Sequence, residues 1–184
     1  MGVRQLYEQT LAERGYAADP AQLRAIAALE RCENEWADYK ARRSNALTKL
    51  IARPPIPRGV YMYGGVGRGK TLIMDLFFES LPFDDKLRYH FHRIMSRVHG
   101  QLARLHDTPD PLAMIAADFA RESRVICFDE LFVSDIADAM LLGRFIEALL
   151  DRGVTLVATS NSAPEDLYRG GLQRQRFLPV IDLL

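Results

Sequence analysis

Apolar residues recur every three or four positions in the first third of the chain, the spacing of one face of an α-helix. Asp19-Pro20 precedes the clearest run, a capping carboxylate followed by a proline that fits the first helical turn. The prolines of ARPPIPRG then end the pattern, because each removes a backbone donor. We therefore predict an N-terminal helical region over residues 1–52. Its apolar face would be formed by Ile26, Leu29, Cys32, Trp36 and Tyr39.

Beyond residue 52, short strand-like runs alternate with helix-like runs. The strand candidates are GVYMYG (59–64), LRYHFH (87–92), RVICFDE (124–130) and VTLVATSN (154–161). The helix candidates are TLIMDLFFESL, RIMSRVHGQLARLH, PLAMIAADFARE and IADAMLLGRFIEALLDRG. This alternation is typical of βαβ crossovers, so it predicts an α/β fold over residues 53–184, a parallel sheet with helices on both faces. In such sheets, ligands bind at the carboxyl ends of the strands.

Length and composition narrow the class of protein. The 184 residues, 48% of them hydrophobic, suffice for one domain with a substantial core. The 24 Lys and Arg balance the 24 Asp and Glu, which excludes a globally basic nucleic-acid binder and an acidic disordered chain. Two cysteines are too few for a disulfide scaffold, and no apolar run approaches the ~20 residues of a membrane span. Since the first residues also lack the apolar core of a signal peptide, we expect a soluble, cytoplasmic protein.

A glycine-rich loop follows the first strand candidate. Its pattern is that of the phosphate-binding loop, G-x-x-x-x-G-K-[ST], in which backbone N–H groups turn inward around a polyphosphate. The strand before it and the apolar helix after it argue against the alternative, a chance glycine-rich turn. Lys70 would reach the β/γ phosphates and Thr71 would ligate Mg²⁺, which predicts ATP and Mg²⁺ as cofactors. The loop consists of Gly64, Gly65, Val66, Gly67, Arg68, Gly69, Lys70 and Thr71.

Polar residues end two later strand candidates. Asp129 and Glu130 close RVICFDE. Asp129 would hold the Mg²⁺ that Thr71 also touches, and Glu130 would polarise a water for in-line attack on the γ-phosphate. The alternative is that these carboxylates cap the following helix. Asn161 closes VTLVATSN and would sense the γ-phosphate, where an ordinary polar turn is the alternative.

Two arginines, Arg174 and Arg176, follow the last strand candidate. One of them would act as an arginine finger inserted into the nucleotide of a neighbouring copy. Such a finger requires an oligomer with head-to-tail contacts. The alternative is that both are solvated or pair with Glu165 and Asp166, and the sequence does not distinguish between the two arginines.

Histidines and a cysteine near these motifs have simpler interpretations. Four histidines near the second strand candidate lack the cysteines and the paired spacing of a zinc site, so packing and hydrogen bonding are their expected roles. Cys127 lies within an apolar strand candidate, where a small core residue is expected rather than a nucleophile. The histidines are His90, His92, His99 and His106.

In this order, the motifs resemble the Walker A, Walker B, sensor 1 and arginine-finger elements of AAA+ ATPases. GVYMYGGVGRGKTLIMDLFFES, HFHRIM, ICFDELFVSDIADAMLLGR and LYRGGLQRQRFLPVIDLL resemble the ZapE family of bacterial AAA+ ATPases, which has mitochondrial relatives. Tyr7 and DPAQ (19–22) fit the same family's N-terminal pattern. Gln22 in that pattern would contact adenine as in some P-loop enzymes, but an exposed helix residue is the preferred interpretation.

The resemblance implies a P-loop NTPase of the AAA+/ASCE type. It assigns nucleotide binding to residues 64–71, metal binding and catalysis to Asp129 and Glu130, sensing to Asn161 and the finger to Arg174 or Arg176. Family chains continue into a fifth core strand and a helical lid. This chain is therefore expected to be truncated at its C-terminus, with an incomplete AAA+ core over residues 53–184.

The resemblance also implies an ATPase of the cell-division ring that interacts with FtsZ at the inner face of the membrane. It would be a homo-oligomer, peripherally associated with the membrane. Mg²⁺-dependent ATP hydrolysis that remodels a protein partner is the leading expectation. Two alternatives stay open: an ATP-controlled adaptor, resembling helicase loaders, that binds single-stranded DNA, and a small-molecule kinase. The neutral charge disfavours the first, while Glu130, Asn161 and the arginines favour water as the phosphate acceptor over a kinase substrate.

Overall fold

The computed structural model describes residues 1–51, 53–105 and 108–184 of the chain. His106, one of the four histidines, lies outside these residues. Within them, the predicted helical start is followed by alternating strands and helices. The helices are α1 (Val3–Arg14), α2 (Pro20–Arg42), α3 (Ala46–Ile51), α4 (Lys70–Ser80), α5 (Phe91–Leu102), α6 (Pro111–Glu122), α7 (Ile136–Asp151) and α8 (Leu178–Leu183), and the strands are β1 (Val60–Tyr63), β2 (Lys86–His90), β3 (Val125–Asp129) and β4 (Thr155–Ser160).

The four strands form one parallel sheet in the order β1-β4-β3-β2. β3 and β4 are buried along their whole length, as apolar strands in the middle of a parallel sheet are. The register places Tyr63 beside Ser160 and His90 beside Asp129. Because the strands are parallel, the residues that follow each of them meet at one edge of the sheet.

Helices cover both faces of this sheet, which confirms the predicted α/β architecture. On one face, α1, α2 and α4 share a core with β1, β3 and β4 that includes Tyr7, Trp36, Phe77 and Cys127. On the other face, α5, α6, α7 and α8 form a second core. The N-terminal helices therefore pack directly against the helix that follows the glycine-rich loop. The division of the chain at residue 52 stays a prediction.

The ends of two elements show how the sequence sets their bounds. The Asp19 side chain accepts a hydrogen bond of 2.6 Å from the N–H of Ala21, and Pro20 occupies the first turn of α2 as predicted. The sequence predicts the second strand over residues 87–92, but β2 ends at His90 and Phe91 opens α5. The Phe91 ring is buried against Phe128, with 6.2 Å between ring centroids, so core packing sets this boundary.

Among the described residues, no helix has both the length and the hydropathy that crossing a membrane requires.

Candidate functional site

The glycine-rich loop joins β1 to α4 at the carboxyl edge of the sheet. Gly67 and Gly69 have φ angles of 78° and 76°, in the left-handed region that residues with a Cβ rarely adopt. Helix α4 begins immediately after Gly69, so its first N–H groups face the loop. A cavity of about 370 Å³, called here the loop cavity, opens at this place. It is lined by residues 66–71 together with Glu130, Thr159, Ser160 and Asn161.

The ammonium group of Lys70 connects the loop to the end of β4. Its Nζ donates to the carbonyl oxygens of Gly64 at 2.6 Å and Gly65 at 2.8 Å, and to Oδ1 of Asn161 at 3.0 Å. Partial burial lowers the pKa of Lys70, and the nearby carboxylates of Asp129 and Glu130 oppose this effect. The structure thus brings the predicted lysine and the predicted sensor residue into direct contact.

The carboxylate of Asp129 is held from two sides and is only 3% exposed. Thr159 Oγ1 donates to its Oδ1 at 2.7 Å, and Arg88 Nη2 donates to its Oδ2 at 2.9 Å. Burial alone raises the pKa of Asp129, but the hydrogen bonds from Thr159 and Arg88 outweigh it and hold this pKa below its ordinary value. Arg88 also pairs with Asp75 of α4. Asp129 is therefore a fixed negative charge behind the loop.

Glu130 leaves the direction of β3 because its backbone is left-handed, with φ 57°. Its N–H donates to Thr159 Oγ1 at 2.9 Å, and this bond holds the unusual conformation. The side chain is 71% exposed and lines the loop cavity, with one carboxylate oxygen 3.7 Å from His90 Nδ1. Glu130 is thus accessible to water at the cavity, whereas Asp129 is not.

The donor atoms at this edge fit a magnesium ion bound together with phosphates. Mg²⁺ takes oxygen ligands, keeps several waters and is commonly held by one or two carboxylates plus substrate phosphates. Thr71 contributes a hydroxyl at the loop cavity, and the carboxylate charge of Asp129 reaches Lys70. Both oxygens of Asp129 already accept hydrogen bonds from protein groups, and the residue is buried, so it would act on an ion at the cavity through its negative charge and not as a direct ligand.

The sequence predicts that Gln22 is an exposed residue of its helix, but the structure shows otherwise. Its side chain is partly buried and reaches the loop: Nε2 donates to the carbonyl oxygen of Arg68 at 3.0 Å, and Oε1 accepts from the Tyr7 hydroxyl at 2.8 Å. The packing of α2 against the loop decides this position, which helical periodicity alone could not show. A second cavity of about 690 Å³ lies between α2, β1 and the loop, large enough for a nucleoside, and Gln22 lines it.

The two candidate finger arginines differ in their surroundings. Both lie in a short 3₁₀ helix after β4. Arg174 is partly buried and its guanidinium donates to the carbonyl oxygen of Glu165, whereas Arg176 is exposed. Asp166 pairs with Arg169 at 3.0 Å. Arg174 is thus tied to its own chain.

His90, His92 and His99 contact other side chains, and Cys127 is buried in the core. The rings of His90 and His92 stack with 5.9 Å between their centroids. His99 Nε2 lies 2.7 Å from the Asp138 carboxylate. Burial raises the pKa of the Cys127 thiol to about 12, which fits a small core residue and not a nucleophile. The described part of the chain contains no group of three or more His, Cys, Asp or Glu side chains that could hold a metal ion.

Comparison with models of protein families shows to which family the chain belongs. A model of the AFG1-like ATPases matches residues 1–184. The chain belongs to the AFG1-like ATPase family. It is 48% identical over 190 residues to the cell division protein ZapE of Escherichia coli K12, an alignment that covers 97% of this chain and 50% of ZapE. It is 43% identical over 144 residues to Lactation elevated protein 1 homolog B of Danio rerio, covering 72% of this chain and 29% of that protein.

These matches confirm the predicted ZapE-type family, and they show that the chain spans about half the length of ZapE. Solved structures confirm the fold class. The solved structure of the DnaC helicase loader superposes with a TM-score of 0.57 at 14% identity, covering 90% of this chain and 85% of that chain. Domain III of Thermotoga maritima DnaA gives 0.60 at 16% identity, covering 89% of this chain and 62% of that chain. At such identities, the likeness concerns the fold alone.

Two residues of the site were not identified from the sequence. Arg88 lies in the second strand candidate, and the sequence signal for it is that an arginine in a strand of a parallel sheet requires an acidic partner. Thr159 lies two residues before Asn161, and the sequence signal was its place at the end of an apolar strand next to the presumed γ-phosphate. Both donate hydrogen bonds to the carboxylate of Asp129, so they fix its position and its charge at the site.

Proposed function

We propose that the chain binds ATP together with Mg²⁺ at the loop cavity and hydrolyses it. One observation carries this proposal: Lys70, Thr71, Glu130 and Asn161 converge on a single cavity beside a glycine loop that opens a helix. This arrangement offers cations and N–H donors to phosphate oxygens, and a carboxylate and an amide to a water. Membership in the AFG1-like ATPase family supports the same reaction.

Binding would use groups that the loop already directs to one place. The ammonium of Lys70 contacts the carbonyls of Gly64 and Gly65, and it would exchange them for β and γ phosphate oxygens. Its lowered pKa reflects partial burial, and phosphates would restore a strong preference for the charged form. The neighbouring cavity between α2, β1 and the loop would take the nucleoside.

Hydrolysis would depend on Glu130 and Asn161. Glu130 is an exposed carboxylate at the cavity, suited to accept a proton from a water attacking the γ-phosphate, a contribution of about 10²–10⁴ in rate. Asn161 is oriented by its contact with Lys70 and would report the presence of the γ-phosphate. Mg²⁺, when bound, supplies charge neutralisation at the phosphates, with Thr71 and the Asp129 carboxylate as its protein partners.

Of the two arginines, we assign the finger role to Arg176. It is exposed, whereas the guanidinium of Arg174 is held by the Glu165 carbonyl of the same chain. A finger acts on the nucleotide of a neighbouring subunit, so this assignment includes a head-to-tail homo-oligomer.

The relationship to ZapE supports a role in cell division. We propose that hydrolysis remodels a protein partner of the division ring, FtsZ being the candidate, at the inner face of the membrane. Because the chain spans half of ZapE, the remodelling activity is expected of a chain that is extended to that length.

The proposal is tested by measuring MgATP binding and phosphate release without any added phosphate acceptor. Lys70→Ala is expected to lose most of the binding, because it removes the ammonium group that would contact the β and γ phosphates. Lys40→Ala is the matched control, since Lys40 lies near the end of α2, away from the loop, and pairs with Asp85 before β2. The same assays on a chain extended to the length of ZapE, with and without FtsZ filaments, test the proposed partner.

MgATP binding that depends on Lys70, followed by phosphate release, supports the proposal. Equal binding by wild type and Lys70→Ala would contradict the site. Formation of ADP only with an added small-molecule acceptor, with the phosphoryl group on that acceptor and no free phosphate, would indicate a kinase. Salt-dependent binding of single-stranded DNA with no effect of FtsZ would point to the adaptor function instead.

A further inference from the structure

We infer that Tyr7 and Gln22 form a strut from the N-terminal helices that fixes the conformation of the phosphate loop. This inference rests on the proposed function for its meaning, because it concerns how the same site binds phosphates. The strut consists of two successive hydrogen bonds: Tyr7 hydroxyl to Gln22 Oε1 at 2.8 Å, and Gln22 Nε2 to the carbonyl oxygen of Arg68 at 3.0 Å. Gln22 is thus a positioning residue that acts on the loop from outside.

The bond to Arg68 fixes the orientation of a peptide group within the loop. In a trans peptide the C=O and the following N–H point in opposite directions. When Gln22 holds the carbonyl of Arg68, the N–H of Gly69 must point away from Gln22. Gly69 lines the loop cavity with Lys70 and Thr71, so this is the orientation in which its N–H could serve a phosphate oxygen.

The loop and the strut are also fitted to each other sterically. A Cβ at Gly69 would lie 2.6 Å from Gln22 Nε2, so the amide sits directly against the glycine. This close approach adds a reason for glycine at a position where φ is already 76°. A side chain at position 69 would therefore displace the amide of Gln22 from its present position.

The far end of the strut is anchored in the core. Tyr7 is 1% exposed and packs with α2 and α4, so its hydroxyl has little freedom of position. Helix α1 is tied to α2 by an ion pair between Arg4 and Glu30 at 2.8 Å. Arg68 itself lies 3.4 Å from the carboxylate of Asp19, which caps α2. The N-terminal helices thus contact the loop through its backbone and through its arginine.

From these contacts, the strut is expected to act on the phosphates and not on the base. It preorganises a loop that would otherwise lose conformational entropy on binding. Loss of one ordinary hydrogen bond corresponds to about a two- to tenfold change in affinity. A displacement of α1 relative to α4 would therefore change the phosphate affinity through the loop, with no contact between α1 and the nucleotide.

The test compares Tyr7→Phe and Gln22→Ala with wild type, using inorganic tripolyphosphate with Mg²⁺ as the probe. The control for the first variant is Tyr16→Phe, because Tyr16 is exposed beyond α1. The control for the second is Gln9→Ala, because Gln9 is exposed on α1 and its side chain donates to Glu13 on the same helix, away from the loop. Competition of tripolyphosphate, ATP and GTP against a fluorescent nucleotide gives the affinities. The rate of amide hydrogen exchange of residues 66–71, measured without any ligand, shows how well ordered the loop is.

We expect Tyr7→Phe to bind tripolyphosphate, ATP and GTP about two- to tenfold more weakly, by the same factor for all three. Loop amides should exchange faster in this variant, with a melting temperature close to that of wild type. Unchanged exchange and unchanged tripolyphosphate affinity would overturn the strut. A loss restricted to ATP, with tripolyphosphate and GTP unaffected, would also overturn it and assign Gln22 to the adenine base.

A different result would contradict the proposed function. If wild type binds neither tripolyphosphate nor ATP, the proposed function is wrong. In that case, faster exchange of the loop in Tyr7→Phe would still support the strut, and unchanged exchange would overturn it. Tyr7→Phe keeps the ring in the core, so the test does not depend on the folding of Gln22→Ala.

Discussion

Thr159 donates a hydrogen bond of 2.7 Å to the carboxylate of Asp129 from the end of the neighbouring strand. The same hydroxyl oxygen accepts the backbone N–H of Glu130 at 2.9 Å. One small side chain therefore fixes both the buried carboxylate and the left-handed residue that presents the exposed one. The separate roles proposed for Asp129 and Glu130 depend on this shared partner.

Replacement of this partner should destabilise the protein. Thr159→Val keeps the volume but leaves a buried carboxylate oxygen and a backbone N–H without their partner. We expect a loss of about 1–3 kcal/mol in the free energy of unfolding, measured with urea. Thr155→Val is the matched control, because buried Thr155 donates a single bond of 2.7 Å to the carbonyl of Pro57. An equal loss in both variants would contradict the dual role of Thr159.

Removal of the Arg88 guanidinium should give a pH-dependent loss of stability. The pKa of Asp129 is raised by burial but held below its ordinary value by Thr159 and Arg88, with a smaller contribution from His90. A lowered native pKa stabilises the fold above the unfolded pKa of about 3.9, and this contribution is lost as the pH falls through the native pKa. Arg88→Met should therefore cost about 3 kcal/mol at pH 7. The difference from wild type should shrink below about pH 4, where carboxylates protonate in the unfolded chain.

Urea unfolding at several pH values measures this difference. Asp75, the other partner of Arg88, is half exposed and contributes less. Arg121→Met serves as the control, because Arg121 is 76% exposed in its pair with Asp118 and should change stability by less than about 1 kcal/mol. A constant difference between wild type and Arg88→Met from pH 7 to pH 3 would contradict the account of Asp129.

A Cβ at Gly69 should weaken phosphate binding. The φ of 76° costs an L-residue about 1–2 kcal/mol, and the new carbon would push against Gln22 Nε2. We expect Gly69→Ala to reduce MgATP affinity, measured by calorimetric titration. Adding Gln22→Ala should relieve the contact but not the backbone strain. Gly100→Ala is the control, since this helical glycine has open space around its Cβ position and alanine should be neutral or stabilising.

The finger assignment predicts complementation between subunits. In a chain extended to the length of ZapE, Arg176→Ala should lower turnover by about 10³–10⁵ while MgATP affinity is retained. Arg174→Ala should have a much smaller effect, because Arg174 is tied to the Glu165 carbonyl. Mixing inactive Arg176→Ala with inactive Glu130→Gln should restore activity at sites that combine an intact base with an intact neighbouring arginine. No gain on mixing would contradict a finger acting between subunits.

The sequence predicts most of the architecture because local signals and core signals agree. Asp19-Pro20 starts α2, the apolar runs become β3 and β4, and the glycine pattern marks the loop. The end of β2 could not be placed correctly, since Phe91 looks like a strand residue in sequence and enters α5 because its ring packs in the core.

The contacts that hold the site could not be predicted, because they join residues distant in sequence. Arg88 and Asp129 are 41 positions apart, Gln22 and Arg68 are 46 apart, and Lys70 and Asn161 are 91 apart. The types and spacing of the motif residues predict which side chains belong to the site. The residues that orient them became visible only when the strand order and the packing of α2 were known.

Turnover by Glu130→Gln, compared with its affinity for MgATP, tests the central claim most directly. Glu79→Gln, on the exposed side of α4, is the matched control. Both should be measured by phosphate release and calorimetric titration on a chain extended to the length of ZapE. We predict that Glu130→Gln binds MgATP as wild type does and hydrolyses it about 10²–10⁴ times more slowly, while Glu79→Gln is unchanged. Unchanged turnover in Glu130→Gln would contradict the assignment of Glu130 as the base.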